Sequence, residues 1–169
     1  MMTEYSQEEE SISQAHNFQL QRSLKLLHGV ANGAVGYELE ARSLRGIRVI
    51  QADAGFLHCK FIVPAHASDI NGNWHAGAIA TIIDSVGATA IYSVCHKVKV
   101  TVNFNIQYHS TAKIQEEVEI EAKANGNRGK LSSVLVEIRN KSKNGRLIAV
   151  GTQWTAGNDY RSPQPQAKL

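Results

Sequence analysis

A single carboxylate, Asp84, interrupts a twenty-residue apolar run, AGAIATIIDSVGATAIYSVC, at residues 76–95. Moving an ionised carboxylate into such surroundings is costly unless it is paired, hydrogen-bonded or protonated. Asp84 is therefore either a structural group that caps a loop or meets a lysine, or an acid or base held for chemistry. The preceding segment NGNWHAG, residues 71–77, supplies turn residues, Asn side chains able to cap, and His75 where a helix would start. A helix N-terminus offers free backbone N–H groups and a positive dipole end to a ligand. His75 either orients that ligand or caps the helix. Asp84 lies nine residues beyond His75. At about 100° per residue the two project from opposite sides of one helix, so a site using both takes the helix end from one chain and the carboxylate from another.

The elements that must position these groups follow from the periodicities. The apolar run is long enough for a bilayer, but it holds Thr81, Asp84, Ser85, Thr89 and Ser93 and lacks flanking basic clusters or an aromatic belt. A central helix wrapped by protein has the same composition, and no membrane span is expected. Between residues 45 and 63, RGIRVIQA and FLHCKFIV read as two strands meeting at a turn over residues 53–55. After the helix, VKVTVNFNIQY alternates, with Val98, Val100, Val102, Phe104, Ile106 and Tyr108 on one face. Lys99, Thr101, Asn103, Asn105 and Gln107 take the other, which turns Thr101 away from the core. EEVEIEAKA and SVLVEIR repeat the period, and RLIAVGTQWT follows a turn whose Asn144-Gly145 pair is a hairpin signal. The expected order is two strands, one long buried helix, then four strands in a meander. Six antiparallel strands with one apolar face can wrap a single apolar helix, giving an α+β fold.

The chain's 169 residues, 43% of them hydrophobic, suffice for one domain. Residues 1–16 read as a disordered acidic tail and 17–44 as an N-terminal helix and linker. The folded domain spans 45–156, and 157–169 form a flexible tail. The helix carries an apolar stripe of Phe18, Leu20, Leu24, Leu26, Leu27 and Val30. Glu4, Glu8, Glu9 and Glu10 stand in the first 21 residues without a Lys or Arg, so against a net charge of +3 the remainder is clearly basic. That balance suits a polyanionic ligand such as a phosphorylated cofactor, and no nucleic-acid partner is expected. Cys59 and Cys95 lack metal-ligand or redox spacing and read as reduced core thiols of an intracellular protein. The N-terminus has no apolar core for secretion and is too acidic for a transit peptide. GNRGKL is not a P-loop, because Leu131 stands where Ser or Thr would bind magnesium. No metal spacing, Ser-His-Asp elbow or dinucleotide fingerprint occurs.

NGNWHAGAIATIIDSVG and the later VTVNFNIQYHSTAKIQEEVEIEAK resemble the HGG-then-Asp segment and following strands of hotdog-fold thioesterases. The resemblance spans roughly residues 45–156 and is closest to the acyl-coenzyme A thioesterase 13 group, relatives of the bacterial phenylacetate-pathway thioesterases. It implies a hotdog fold, a six-stranded antiparallel sheet around one long central helix, and hydrolysis of acyl-coenzyme A to free acid and coenzyme A. No metal or redox cofactor is implied, since the coenzyme is part of the substrate. By the same resemblance the N–H of Ala76 polarises the thioester carbonyl and His75 orients it, with HAG standing for the usual HGG. Asp84 is then a general base on water or a nucleophile. Thr101 takes the place of a Ser that helps hold the water, and Asp69 falls where the family has an Asn, with Asn71 or Asn73 as substitutes if the loop is shifted. YHSTAK and GNRGKL match coenzyme-holding segments, which brings in Tyr108, His109, Ser110, Lys113, Arg128, Gly129 and Lys130.

The family's active sites use two subunits, so a homodimer, or a tetramer as a dimer of dimers, is implied. Two further readings stay open: a non-hydrolytic acyl-coenzyme A binder in which Asp69 and HAG have cost the activity, and a hotdog hydratase or dehydratase. The terminal Ala167, Lys168 and Leu169 resemble the Ser-Lys-Leu address read by the peroxisomal import receptor. Peroxisomal localisation is thus expected, with the cytosol as the alternative.

Overall fold

The computed structural model describes residues 4–95, 97, 99–141 and 144–157, and for residues 4–11, 127 and 128 the backbone alone. The terminal Ala167, Lys168 and Leu169, and all but the first residue of the expected flexible tail, lie outside the described residues. Helix α1 runs over Glu4–Ala31, so the acidic segment expected to be disordered is helical from Glu4 onward. No Gly or Pro interrupts the sequence before Gly29, and early Glu residues oppose the positive end of the helix dipole. The helix closes where Gly33 takes φ +78 and Ala34 N–H reaches back to Gly29 O at 2.8 Å. A second helix, α2 over Glu38–Leu44, occupies part of the expected linker. The Glu40 carboxylate accepts the Tyr37 N–H at 2.9 Å and fixes its start.

Strands β1 (Arg48–Asp53) and β2 (Phe56–Ile62) form the expected hairpin, with Gly55 at φ +78 in its turn. Helix α3, Ala76–Tyr92, follows. Then come β3 (Lys99–Tyr108), β4 (Glu117–Arg128), β5 (Leu131–Asn140) and β6 (Arg146–Gly157). Asn144 and Gly145, at φ 53 and 70, make the left-handed turn into β6 that the Asn-Gly pair implied. The six strands pair antiparallel in the order β1-β2-β4-β5-β6-β3.

The expected four-strand meander is thereby corrected. Only β4 to β6 form one, while β3 lies beyond β6, at the opposite edge from β1. The residues between β3 and β4 are numerous enough to carry the chain across, and a period-2 pattern reports faces rather than neighbours.

The core is the apolar α3 held against β4, β5 and β6. Ile79, Ile82, Ile83 and Val86 meet Ile120, Val136, Ile138 and Ile148, all at most 2% exposed. Two glycines let helix and sheet approach. A Cβ on Gly151 would come within 2.3 Å of the Ile83 side chain, and one on Gly87 within 2.7 Å of the Gln153 amide oxygen. Both cysteines are free and buried, and burial pushes the Cys59 thiol up to about 12. Helix α1 is fastened across the far end of α3, where the buried Gln19 amide donates to Tyr92 O at 2.8 Å and also to Cys95 O. It thereby caps the last carbonyl of the helix and holds the chain just beyond it. No helix among the described residues is long and apolar enough to cross a membrane.

Replacing Gly151 by Ala should force the Ile83 contact apart and destabilise the fold by about 1–3 kcal/mol. A thermal unfolding midpoint unchanged from the native chain would show that helix and sheet are not in the close contact described.

Candidate active site

The start of α3 is fixed by a loop that satisfies its own polar groups. Asp69 Oδ1 accepts the N–H of Asn71 and of Asn73, both at 2.8 Å, and Oδ2 accepts the Asn73 side-chain amide at 3.1 Å. These bonds, those from Asn73 foremost, hold the exposed Asp69 carboxyl below the usual carboxylate range. Asp69 is thus the hub of the turn. Asn71 is exposed and offers its carbonyl to Lys113 Nζ at 3.2 Å, while Trp74 N–H donates to Ala112 O.

His75 caps the helix in extended conformation, its Nδ1 accepting the Gly77 N–H at 3.0 Å and its own N–H donating to Ala67 O. With Nδ1 as acceptor, a neutral His75 carries its proton on Nε2. The N–H groups of His75 and Gly77 are therefore engaged. Among the described residues the exposed Ala76 N–H is left for a ligand. Ala76 lies inside the helix with negative φ, so its methyl does not disturb the donor. Tyr108 meets the same end, its hydroxyl donating to Ala76 O at 3.0 Å.

Asp84, half-buried in the middle of α3, is the centre of a second cluster. Its Oδ1 accepts from Thr101 Oγ1 at 3.1 Å and from Gln153 Nε2 at 2.6 Å, and Gln153 Nε2 lies 2.7 Å from Thr101 Oγ1 as well. Oδ2 has no protein partner among the described residues, so one carboxylate oxygen is fixed and the other is available. Burial raises the Asp84 carboxyl above its ordinary range. The Thr101 hydrogen bond opposes that shift, and the negative charge of Glu40 adds to it.

Strict alternation had turned Thr101 outward, but the ladder between β3 and β6 shifts register between Thr101 and Asn103. Val102 is the extra residue of a bulge, which reverses the parity of the strand. Thr101 opposes Thr155, and Phe104 opposes Gln153, so Thr101 shares the helix-facing side with Phe104, Ile106 and Tyr108. Sequence reasoning missed Gln153 altogether. Its signal was a polar residue two positions from Gly151 on a face that alternation makes internal. Gln153 is 1% exposed, and its Oε1, pressed toward Gly87, has no partner among the described residues.

Asp84 and the helix start do not meet within one chain. Nine residues of helix place them about 13 Å apart along the axis, on opposite sides. Strand β3 spans both places, with Thr101 at Asp84 and Tyr108 at Ala76. The expected coenzyme residues divide in the same way. Tyr108, His109, Ser110 and Lys113 cluster at the helix start, where Ser110 Oγ donates to Leu147 O at 2.6 Å and His109 is exposed. Gly129 (φ +62) and the exposed Lys130 sit at the Thr101 end, Lys130 O accepting the Gly157 N–H. The Arg128 side chain lies outside the described residues.

Asp84 gives stability a distinctive pH dependence. Its folded-state carboxyl titrates above an unfolded Asp, near 3.9. Its contribution is therefore fully present below that value and lost as pH rises through the folded one. The ionised group is a cost at neutral pH. Asp84→Asn, which keeps an oxygen for the Gln153 and Thr101 donors, should raise the thermal midpoint at about pH 8 and lose that advantage toward about pH 4. Equal midpoints at the higher pH would contradict the half-buried, desolvated carboxylate.

Comparison with known proteins agrees with this architecture. Residues 71–146 match the model of the thioesterase superfamily. The acyl-coenzyme A thioesterase 13 of Mus musculus is 32% identical over 111 residues, covering 65% of this chain and 79% of that protein. The crystal structure of zebra fish thioesterase superfamily member 2 superposes with a TM-score of 0.70 at 30% identity, covering 79% of this chain and 94% of that one. The Mus musculus member 2 structure gives 0.68 at 28% identity over 81% and 96%. With the antiparallel sheet, the central helix and the sequence match in agreement, the chain belongs to the hotdog-fold thioesterase superfamily, in its acyl-coenzyme A thioesterase 13-like group.

Proposed function

We propose that the protein hydrolyses acyl-coenzyme A thioesters at a site shared by two copies of the chain. The observation that carries this reading is the Asp84 carboxylate, anchored through one oxygen by Thr101 and Gln153 and free through the other. The free oxygen takes a proton from water as hydroxide adds to the thioester carbonyl. The resulting oxyanion is met by the N–H of Ala76 and the positive end of α3. Collapse breaks the carbon–sulfur bond, the coenzyme A thiolate takes up the proton, and free acid remains. The same oxygen can instead attack the carbonyl to form an anhydride that water then opens. Single turnover in heavy-oxygen water separates the routes by labelling Asp84 only in the second.

The two-copy arrangement is supported by β3. It is an edge strand with Val100, Val102, Phe104 and Tyr108 all exposed by at least a third, and it has one unpaired backbone edge. A second copy pairing antiparallel along β3 sets Thr101 of one chain opposite the Tyr108 end of the other. Asp84 of one copy then stands by the Ala76 N–H of its partner, and the Lys130 turn joins the His109 and Lys113 side to receive the anionic coenzyme. Asp69 is consumed within its loop and Ala76 keeps its donor, so the departures that favoured a non-hydrolytic binder leave the machinery in place. A dimer is the smallest active unit on this reading, and two dimers complete a tetramer.

The test is a panel of acyl-coenzyme A esters with a thiol reagent that reports released coenzyme. The native protein should release thiol, Asp84→Asn should fall by about 10²–10⁴-fold while still binding the coenzyme, and Thr101→Ala should fall less. Undiminished turnover in Asp84→Asn would end the mechanism.

A further inference from the structure

The geometry points to α1 as the wall that limits the length of the acyl group, an inference that rests on thioester chemistry at Asp84. A cavity of about 80 Å³ lies between Leu26, Leu27 and Val30 of α1 and the flank of α3. Its other walls include Ser85, the residue after Asp84, and Ala88, one turn further along the helix. Thr155, which opposes Thr101 across the ladder, closes the sheet side. One wall of the cavity is therefore the chain neighbour of the carboxylate, and another is the ladder partner of Thr101.

Its lining is mainly apolar, and the side chains of Thr89, Lys99 and Thr155 on it are engaged elsewhere. Thr89 Oγ1 donates to Ser85 O at 2.7 Å, and the Lys99 ammonium donates to Ser132 Oγ. A hydrocarbon tail suits such a space better than a polar group does.

Beyond Leu26, Leu27 and Tyr92 opens a groove of about 1560 Å³ between α1 and β1, and these three residues line both spaces. They are the partition between them. A short acyl group fills the inner cavity, and a longer one must displace the partition to reach the apolar surface of Val35, Ile47 and Val49. The partition is held from both sides. Gln19 ties α1 to the end of α3, and the Arg22 guanidinium lies 5.8 Å from the ring centres of both Phe18 and Tyr92. All of α1 lies outside the segment matched by the family model.

The test measures binding and turnover for a series of saturated acyl-coenzyme A esters on the full chain. Each buried methylene is worth ~0.8 kcal/mol, or about fourfold in affinity. Affinity, measured on Asp84→Asn to prevent turnover, should tighten by that factor per carbon for the first few carbons and then level off. Leu27 belongs to the core at 3% exposure, so the variants fall on Leu26, 37% exposed, and on the half-buried Val30. Leu26→Ala or Val30→Ala should move the plateau to longer chains, and Val30→Phe to shorter ones, with folding checked by circular dichroism. A plateau indifferent to all three folded variants would overturn the wall while leaving hydrolysis standing. Intact chain-length steps in a protein that hydrolyses none of the esters would sink the proposed activity and uphold the wall.

Discussion

Everything in this structure is arranged around a carboxylate that an apolar helix cannot by itself accommodate. Asp84 belongs to the helix that forms the core, so it cannot leave the interior without carrying α3 with it. Its charge is instead met from the sheet by Gln153 on β6 and Thr101 on β3. Those two donors face it across a helix–sheet contact that Gly87 and Gly151 keep close. One constraint thus fixes helix depth, the bulge in β3 and the polarity of the inner face of β6.

The same arrangement leaves one oxygen of Asp84 free and its carboxyl raised, which is a cost to the fold and a benefit to proton transfer. Hydrogen bonding at Oδ1 prevents the group from rotating away, so the free oxygen has a defined direction. The helix start, about two and a half turns distant, is built separately by the Asp69 turn and the His75 cap. On the proposed reading neither end is a complete site in one chain. Strand β3 carries a contact to each, and in the proposed dimer its exposed edge brings the two ends of two chains together.

Much of this was legible in the sequence because it is local. The apolar run, the period-2 strands, the Asn144-Gly145 turn and the lone Asp84 each sit within a few residues and declare themselves by composition or period. What escaped reading is set by distant partners. The bulge at Val102 reverses a parity that strict alternation fixes the other way, and it depends on how β3 meets β6. The position of β3 beyond β6 is likewise a property of pairing, which no single strand encodes. Gln153 looked like an ordinary strand residue until α3 was laid across it. Acidic composition at residues 1–16 suggested disorder, whereas the continuous run of residues compatible with helix, free of Gly and Pro, gave α1.

The central claim is that Asp84 and the Ala76 N–H act together from different chains. Ala76 is the first residue of α3, where proline is tolerated, and His75 before it is already extended, so Ala76→Pro removes the N–H with little strain. Mixing Asp84→Asn and Ala76→Pro subunits, each inactive alone, and measuring acyl-coenzyme A hydrolysis decides the matter. A shared site predicts recovered activity, because each mixed dimer contains one site with both groups intact. No recovery in a sample shown to contain mixed dimers would place both groups in the same chain's site and contradict the account.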